Sequence, residues 1–195
     1  MVAFNKFRAR LTWAHDRPGV WALGRSWYRR ASLRVARAAQ DAHVPLEAVA
    51  GAAAHLSVHT PWERYIKGTD DLCRALRDGA THADLLDIAT RATLYNHNAE
   101  RAVALLMQHE DARMPQGPKT TAFARNLAGD RSAVTVDSWM YKICNRFGLR
   151  SDSPTENATR SIARAVKMCA TLYGIEPAET QAIIWTVERD HWSAK

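Results

Sequence analysis

Residues 113–148 read RMPQGPKTTAFARNLAGDRSAVTVDSWMYKICNRFG, and this stretch decides how the chain is read. Pro115, Gly117 and Pro118 mark a tight turn, and Lys119 follows at the start of a helix that runs to about Ala128. The apolar run Ala133, Val134, Thr135, Val136 is strand-like. Asp137 then stands where an N-cap residue would, ahead of a helix that Gly148 ends. A cation and an anion thus sit at two successive helix starts, 18 residues apart by number (137 − 119).

Outward from this stretch the pattern is helical. Pro18 opens a segment in which Leu23, Trp27, Ala31 and Val35 recur at steps of four. Arg30, Arg34 and Arg37 fall on another face. A helix starting at Pro45 is small and apolar all round, which places it centrally and buried. Another runs from Thr60-Pro61 to about Leu76, and Gly79 punctuates. Residues 82–93 and 98–108 carry further amphipathic patterns. Pro154 opens a long helix stopped at Gly174, and Pro177 opens the last. The expectation is about eight or nine helices, no sheet, and an all-α fold. It is one domain over 1–195, with a compact lobe formed by the helices after Asp137.

The 195 residues are 47% hydrophobic, enough for one large domain or two small lobes sharing a core. Lys and Arg number 27 against 20 acidic residues, a net charge of +7. That balance favours an anionic partner, nucleic acid first, with a basic soluble enzyme as the plainer alternative. Only six of the cations are Lys. The Arg excess suits forked phosphate contacts, though a GC-rich genome produces it too. Cys73, Cys144 and Cys169 show neither metal nor disulfide spacing, which points to a reducing, cytoplasmic setting. The first twenty residues lack a signal-peptide core, and no apolar run is long enough for a bilayer.

The elements Gly117-Pro118-Lys119-Thr120 and Val136-Asp137-Ser138, with the ending Ile143-Cys144-Asn145-Arg146, resemble the catalytic core of the helix-hairpin-helix DNA glycosylase superfamily. The resemblance is especially to the endonuclease III branch. That branch carries a Gly-x-Gly hairpin, a Lys-Thr pair, a Val-Asp-Thr/Ser-His element and a Cys-Asn-Arg run. Upstream, residues 55–72 resemble its segment bearing a polar residue that wedges into the duplex, here His59. The resemblance spans roughly 45–187; its specific core is 115–147, with hairpin and catalytic helix at 113–148. It implies a two-lobed all-helical fold with double-stranded DNA across the cleft and a base extruded. Pro115 replaces the first hairpin glycine, and Trp139 replaces the histidine. The four-cysteine loop is absent, so no iron–sulfur cluster is expected. The same pattern looks like small phage and actinobacterial proteins of this fold, some tied to hypermodified thymine. That suggests a bacterial cell or a phage-infected host.

The chemistry of the residues stands beside this. Breaking an N-glycosidic bond builds positive charge on the sugar, which Asp137 can stabilise as a carboxylate. A lysine with a lowered pKa can attack C1′ and form a Schiff base, which suits Lys119. The plainer alternatives are an N-cap for Asp137, a phosphate-binding or solvated lysine for Lys119, and an ordinary interhelical turn. The hairpin resemblance implies DNA contacts at His59, Gln116, Gly117, Thr120 and Arg125. Trp62, Trp139 and Tyr141 are candidates to stack an extruded base, while most of the seven Trp are expected in the core. His55 and His59 have zinc-like spacing without a third ligand, so neither metal nor cofactor is expected. The leading expectation is a monomeric N-glycosylase, with lyase activity through Lys119 as a further possibility. The alternatives are a phage-type enzyme transferring a group to a modified thymine, and a relative that only grips DNA.

Overall fold

The computed structural model describes residues 2–144 and 155–192. Asn145, Arg146, Phe147, Gly148 and Pro154, which carry parts of the sequence argument, lie outside them. The described residues form ten α-helices and no strand: α1 (Val2–His15), α2 (Pro18–Ala42), α3 (Leu46–Leu56), α4 (Trp62–Arg77), α5 (His82–Ala92), α6 (Asn96–Leu106), α7 (Pro118–Leu127), α8 (Ser138–Cys144), α9 (Glu156–Tyr173) and α10 (Pro177–Val187). A π-helical turn, Glu188–Trp192, follows α10. Among the described residues no helix is long and apolar enough to cross a membrane.

The chain divides into two compact units. One is continuous, Ala31–Ala128; the other is discontinuous, Met1–Arg30 with Gly129–Lys195.

In the continuous unit α3 is the hub, because Ala and Gly let other helices approach closely. Residues 49 through 56 are all buried, and α4, α6 and α7 pack around them. The α4–α5 contact is closer still. A Cβ built on Gly68 would stand 2.2 Å from the Ala92 Cβ, so only glycine fits. At the start of α5, Thr81 and Asp84 form a reciprocal capping box.

The core of the discontinuous unit draws on α1, α8, α9 and α10, with Phe7, Leu11, Met140, Ile143, Val166, Ile183 and Ile184 completely or almost completely buried. The α1 helix was absent from the sequence expectation, although Phe7, Arg10, Leu11 and Ala14 are its buried face and show helical spacing. Arg10 forms a buried two-point ion pair with Glu188, at 2.7 Å from Nε and 2.5 Å from Nη2. The long helix α9 starts at the N-cap Thr155 and ends on Gly174 in the left-handed region.

The buried face of α2 differs from the expected one. Ala31 and Val35 are on it, but its N-terminal members are Gly24 and Tyr28, while Leu23 is exposed and Trp27 half-buried. A step of four overshoots the 3.6-residue turn, so a strict series drifts off the face. Gly24 is there for a steric reason: a Cβ would lie 2.6 Å from the Ile183 Cα. Gly24→Ala is therefore expected to destabilise by about 1–3 kcal/mol despite alanine's better helix propensity. Gly19→Ala, with nothing within 4 Å, is expected to be neutral or stabilising. Urea midpoints read both, and a more stable Gly24→Ala protein would refute the close approach.

The tryptophans depart from the expectation of burial. All six whose side chains are described are half-buried and none is fully enclosed. Indole is large and carries an N–H that needs a partner, so it settles at core margins. The three cysteines are free thiols. Burial pushes Cys73 up to about 12, and Cys144 and Cys169 each to about 11.

Candidate functional site

The residues 113–117 before α7 are held in place from several sides. His55, buried near the end of α3, places its Nε2 3.0 Å from the Arg113 carbonyl oxygen. The carbonyl can only accept, so the ring donates from Nε2. Burial is the largest cause lowering the His55 pKa, which keeps the ring neutral in this role. His55 is thus an anchor for the turn, which is an alternative use of the side chain to zinc binding. Met114 lies against Gly51 of α3, since a Cβ there would meet its sulfur at 2.8 Å. Pro115 is buried. At the far side the Thr121 hydroxyl donates to the Pro115 carbonyl at 2.5 Å, and the Thr120 hydroxyl to that of Gly117 at 3.1 Å.

Gly117 is the N-cap of α7 with φ −69° and ψ 141°. This is ordinary extended backbone, so glycine is not demanded by a dihedral angle. Its absent side chain matters instead, because a Cβ would press on Thr120 Oγ1 at 3.2 Å. Pro118 occupies the first helical position. Lys119 comes next, half-buried, while Gln116, Gly117 and Arg125 are exposed and Thr120 is half-buried. The continuous unit therefore brings Gln116, Gly117, Lys119 and Thr120 together at one helix start.

The same unit presents His59. It is exposed and has φ 53°, just past the C-cap Ser57 of α3. His43 and Gln108 share this conformation just after α2 and α6, so the left-handed backbone is helix termination, and His tolerates it better than most residues. What sets His59 apart is its neighbours. Its ring lies 6.1 Å from that of Tyr95, and Tyr95 lies 5.7 Å from His97. Leu94 and Tyr95 are 56% and 39% exposed, so an apolar and aromatic tip stands in water beside the histidine. The sequence reading missed this pair. Its signal was a large apolar residue and an aromatic side by side between two amphipathic helices.

Trp62 opens α4. Its ring meets Tyr65 edge-on at 5.3 Å, and Tyr65 meets Phe123 of α7 at 6.2 Å. Trp62 is half-buried and borders this aromatic chain.

The discontinuous unit holds Asp137, Trp139 and Tyr141. Asp137 is half-buried, and its Oδ1 accepts the Met140 N–H at 2.9 Å. It is therefore an N-cap of α8, whatever else it does. The residues before it, 133–136, carry no regular secondary structure. Asp130 opens the segment by accepting from the Ser132 N–H and hydroxyl at 2.8 and 2.7 Å. Residues 133–136 are buried, and the Ala178 N–H donates to the Arg131 carbonyl at 3.0 Å. The Tyr28 hydroxyl donates to Gln181 Oε1 at 2.8 Å. Burial pushes the Tyr28 pKa far up, a hydrogen bond with Thr135 pulls it back, and the Asp137 carboxylate raises it further. Tyr28 thus stays a neutral phenol that fixes the segment leading into Asp137.

Trp139 is half-buried, with the Lys142 ammonium 5.0 Å from its ring centre. Tyr141 is only 7% exposed and packs in the hydrophobic core of its unit. That burial argues against a base-stacking ring and makes Tyr141 a core residue. Among the described residues no group of three or more His, Cys, Asp or Glu side chains is placed to hold a metal ion.

No curated protein and no solved structure matches the chain. A family model matches residues 9–192, nearly the whole length, and the chain belongs to that family, described as a family of unknown function (DUF7178).

Proposed function

We propose that the chain is a DNA base-processing enzyme on a two-lobed helix-hairpin-helix scaffold, an N-glycosylase for a modified or damaged base. The observation that carries this is the turn at 115–118. It is tied down by His55, Thr120 and Thr121, and it delivers half-buried Lys119 in the first turn of α7. A helix start with a fixed turn ahead of it suits a DNA phosphate, since N–H groups and the helix dipole favour an anion there. Lys119 then supplies an amine for C1′, and Asp137 a carboxylate for the charge that develops on the sugar. His59, Leu94 and Tyr95 form the tip that enters the duplex and fills the space of the extruded nucleotide.

A panel of duplexes, each carrying one modified base, tests the reaction by the free base released. Digestion to nucleosides after incubation with candidate donors detects the alternative, group transfer to a modified thymine. A second reading, a DNA-binding relative without catalysis, is favoured by one observation: Asp137 already has a structural task as the α8 cap.

Binding itself is expected to be steeply salt-dependent, with a log–log slope of about −0.9 per phosphate neutralised. His59→Ala and Leu94→Ala are each expected to weaken binding to an abasic duplex by about 1–3 kcal/mol, roughly five- to 150-fold. Intact duplex should lose less. Equal losses on both duplexes would reduce the tip to a general contact.

A further inference from the structure

A groove of about 570 Å³ runs between α4 and α5 in the continuous unit. Its floor is small and apolar, with Gly68, Ala75, Ile88 and Ala92. Its walls carry Arg64, Lys67, Arg74 and Arg91 against two carboxylates, Asp71 and Asp78. Lys67 and Arg74 share one carboxylate, Asp71, at 2.5 and 3.1 Å, while 73% and 60% of their side-chain surfaces remain in water. Arg91 pairs with Asp87 and is 68% exposed. Solvated ion pairs of this kind contribute little to stability. The groove therefore holds more positive charge than folding uses.

One end of the groove has a defined neighbour. Arg64 donates from Nε to the Arg91 carbonyl at 2.8 Å and from Nη2 to the Thr93 carbonyl at 3.4 Å. Thr93 directly precedes Leu94 of the exposed tip. From Arg64 to Arg74 the helix advances about 15 Å at 1.5 Å per residue. That length is enough to meet about two successive phosphates of a strand.

We propose that the α4–α5 groove is a backbone track for the DNA strand that passes the Leu94–Tyr95 tip. The proposal rests on the DNA-processing function above. Phosphates replace Asp71 as the partners of Lys67 and Arg74, and Arg64 and Arg91 take the phosphates nearest the tip. The apolar floor gives sugars a dry surface without selecting a base, so the contact is sequence-independent.

The test compares full-length variants on one abasic duplex by fluorescence anisotropy across a salt series. Lys67→Glu/Arg74→Glu is expected to weaken binding at least tenfold. Lys67→Gln/Arg74→Gln, which avoids crowding three carboxylates, is expected to flatten the log–log slope by about 1.8, two phosphates at 0.9 each. Arg160→Glu/Arg164→Glu on α9 makes the same charge change as the first variant and is expected to have less than half its effect on log affinity. Circular dichroism confirms that each variant is folded. If the unaltered chain shows no salt-dependent DNA binding, both the DNA function and the groove proposal fail. Binding by the unaltered chain with an unchanged slope in the Gln variant overturns the groove alone, as does an equal loss from the α9 pair. Displacement of the strand by polyglutamate at lower charge concentration than by single-stranded DNA would make the groove a peptide site instead.

Discussion

Asp137→Asn is expected to leave the fold almost untouched while turnover falls by about 10²–10³, the scale seen when one charge-stabilising group is removed from an active site. The structural half of this rests on the cap. Asp137 Oδ1 accepts the Met140 N–H at 2.9 Å, and the Asn side-chain oxygen can accept the same bond. Asn caps a helix about as well as Asp, so the cap contributes a change under about 0.5 kcal/mol, a shift of roughly 1–2 °C in melting temperature for a chain of this size. The catalytic half rests on charge. An amide carries none, so stabilisation of a cationic sugar in the transition state is lost while the shape is kept. Asp137→Ala separates the two halves further: it should lose the cap as well, at about 1 kcal/mol. Base release from the best duplex of the panel, measured beside a thermal melt, reads both quantities. Full turnover in Asp137→Asn would remove the carboxylate from the reaction and leave Asp137 a structural residue.

The parts of the fold legible in the sequence are those that local chemistry dictates. The start of α7 is announced by Pro118 in its first position, and the start of α8 by an aspartate followed by Ser138. Burial of α3 follows from its run of Ala and Gly, since a helix without large or charged faces has nowhere to sit but inside. What stayed hidden depends on partners far away along the chain. Tyr28 and Gln181 are 153 residues apart and Arg10 and Glu188 are 178 apart, and no periodicity within a helix announces either pair. The phase of α2 is set by Gly24 meeting Ile183, a contact invisible from either helix alone. Residues 133–136 have the composition of a strand but find no ladder. Their burial is won by packing and by a few hydrogen bonds, such as the one Tyr28 makes with Thr135. Leu94 and Tyr95 escaped notice because an apolar residue between helices reads as core until its exposure is seen.

The second large effect concerns Lys119. Nucleophilic attack needs the neutral amine, and a free lysine, with a pKa of about 10.4, is less than about 0.1% neutral at pH 7. Lys119 stands in the first turn of α7 and is half-buried. In the proposed step the amine lone pair forms a bond to C1′ while the bond from C1′ to the base breaks. The base leaves with that electron pair and takes a proton. Loss of the amine proton and opening of the sugar ring then give an imine, which water would otherwise hydrolyse. Borohydride delivers hydride to that C=N bond and fixes the protein to the strand as a secondary amine. An abasic sugar reaches the same imine by condensation with loss of one water. Trapping is therefore expected for the unaltered chain on abasic duplex, as a covalent band on a denaturing gel. Lys119→Gln is expected to abolish the band, while the salt-series affinity for the same duplex falls by no more than about tenfold, the loss of one phosphate-scale contact. Lys142→Gln, an exposed cation on α8, controls for adventitious amines and should trap normally. If the unaltered chain gives no band on any abasic or modified-base duplex, Lys119 becomes a phosphate contact. Base release without a band would mean attack by water, and the absence of both would leave group transfer to a modified base or DNA binding alone.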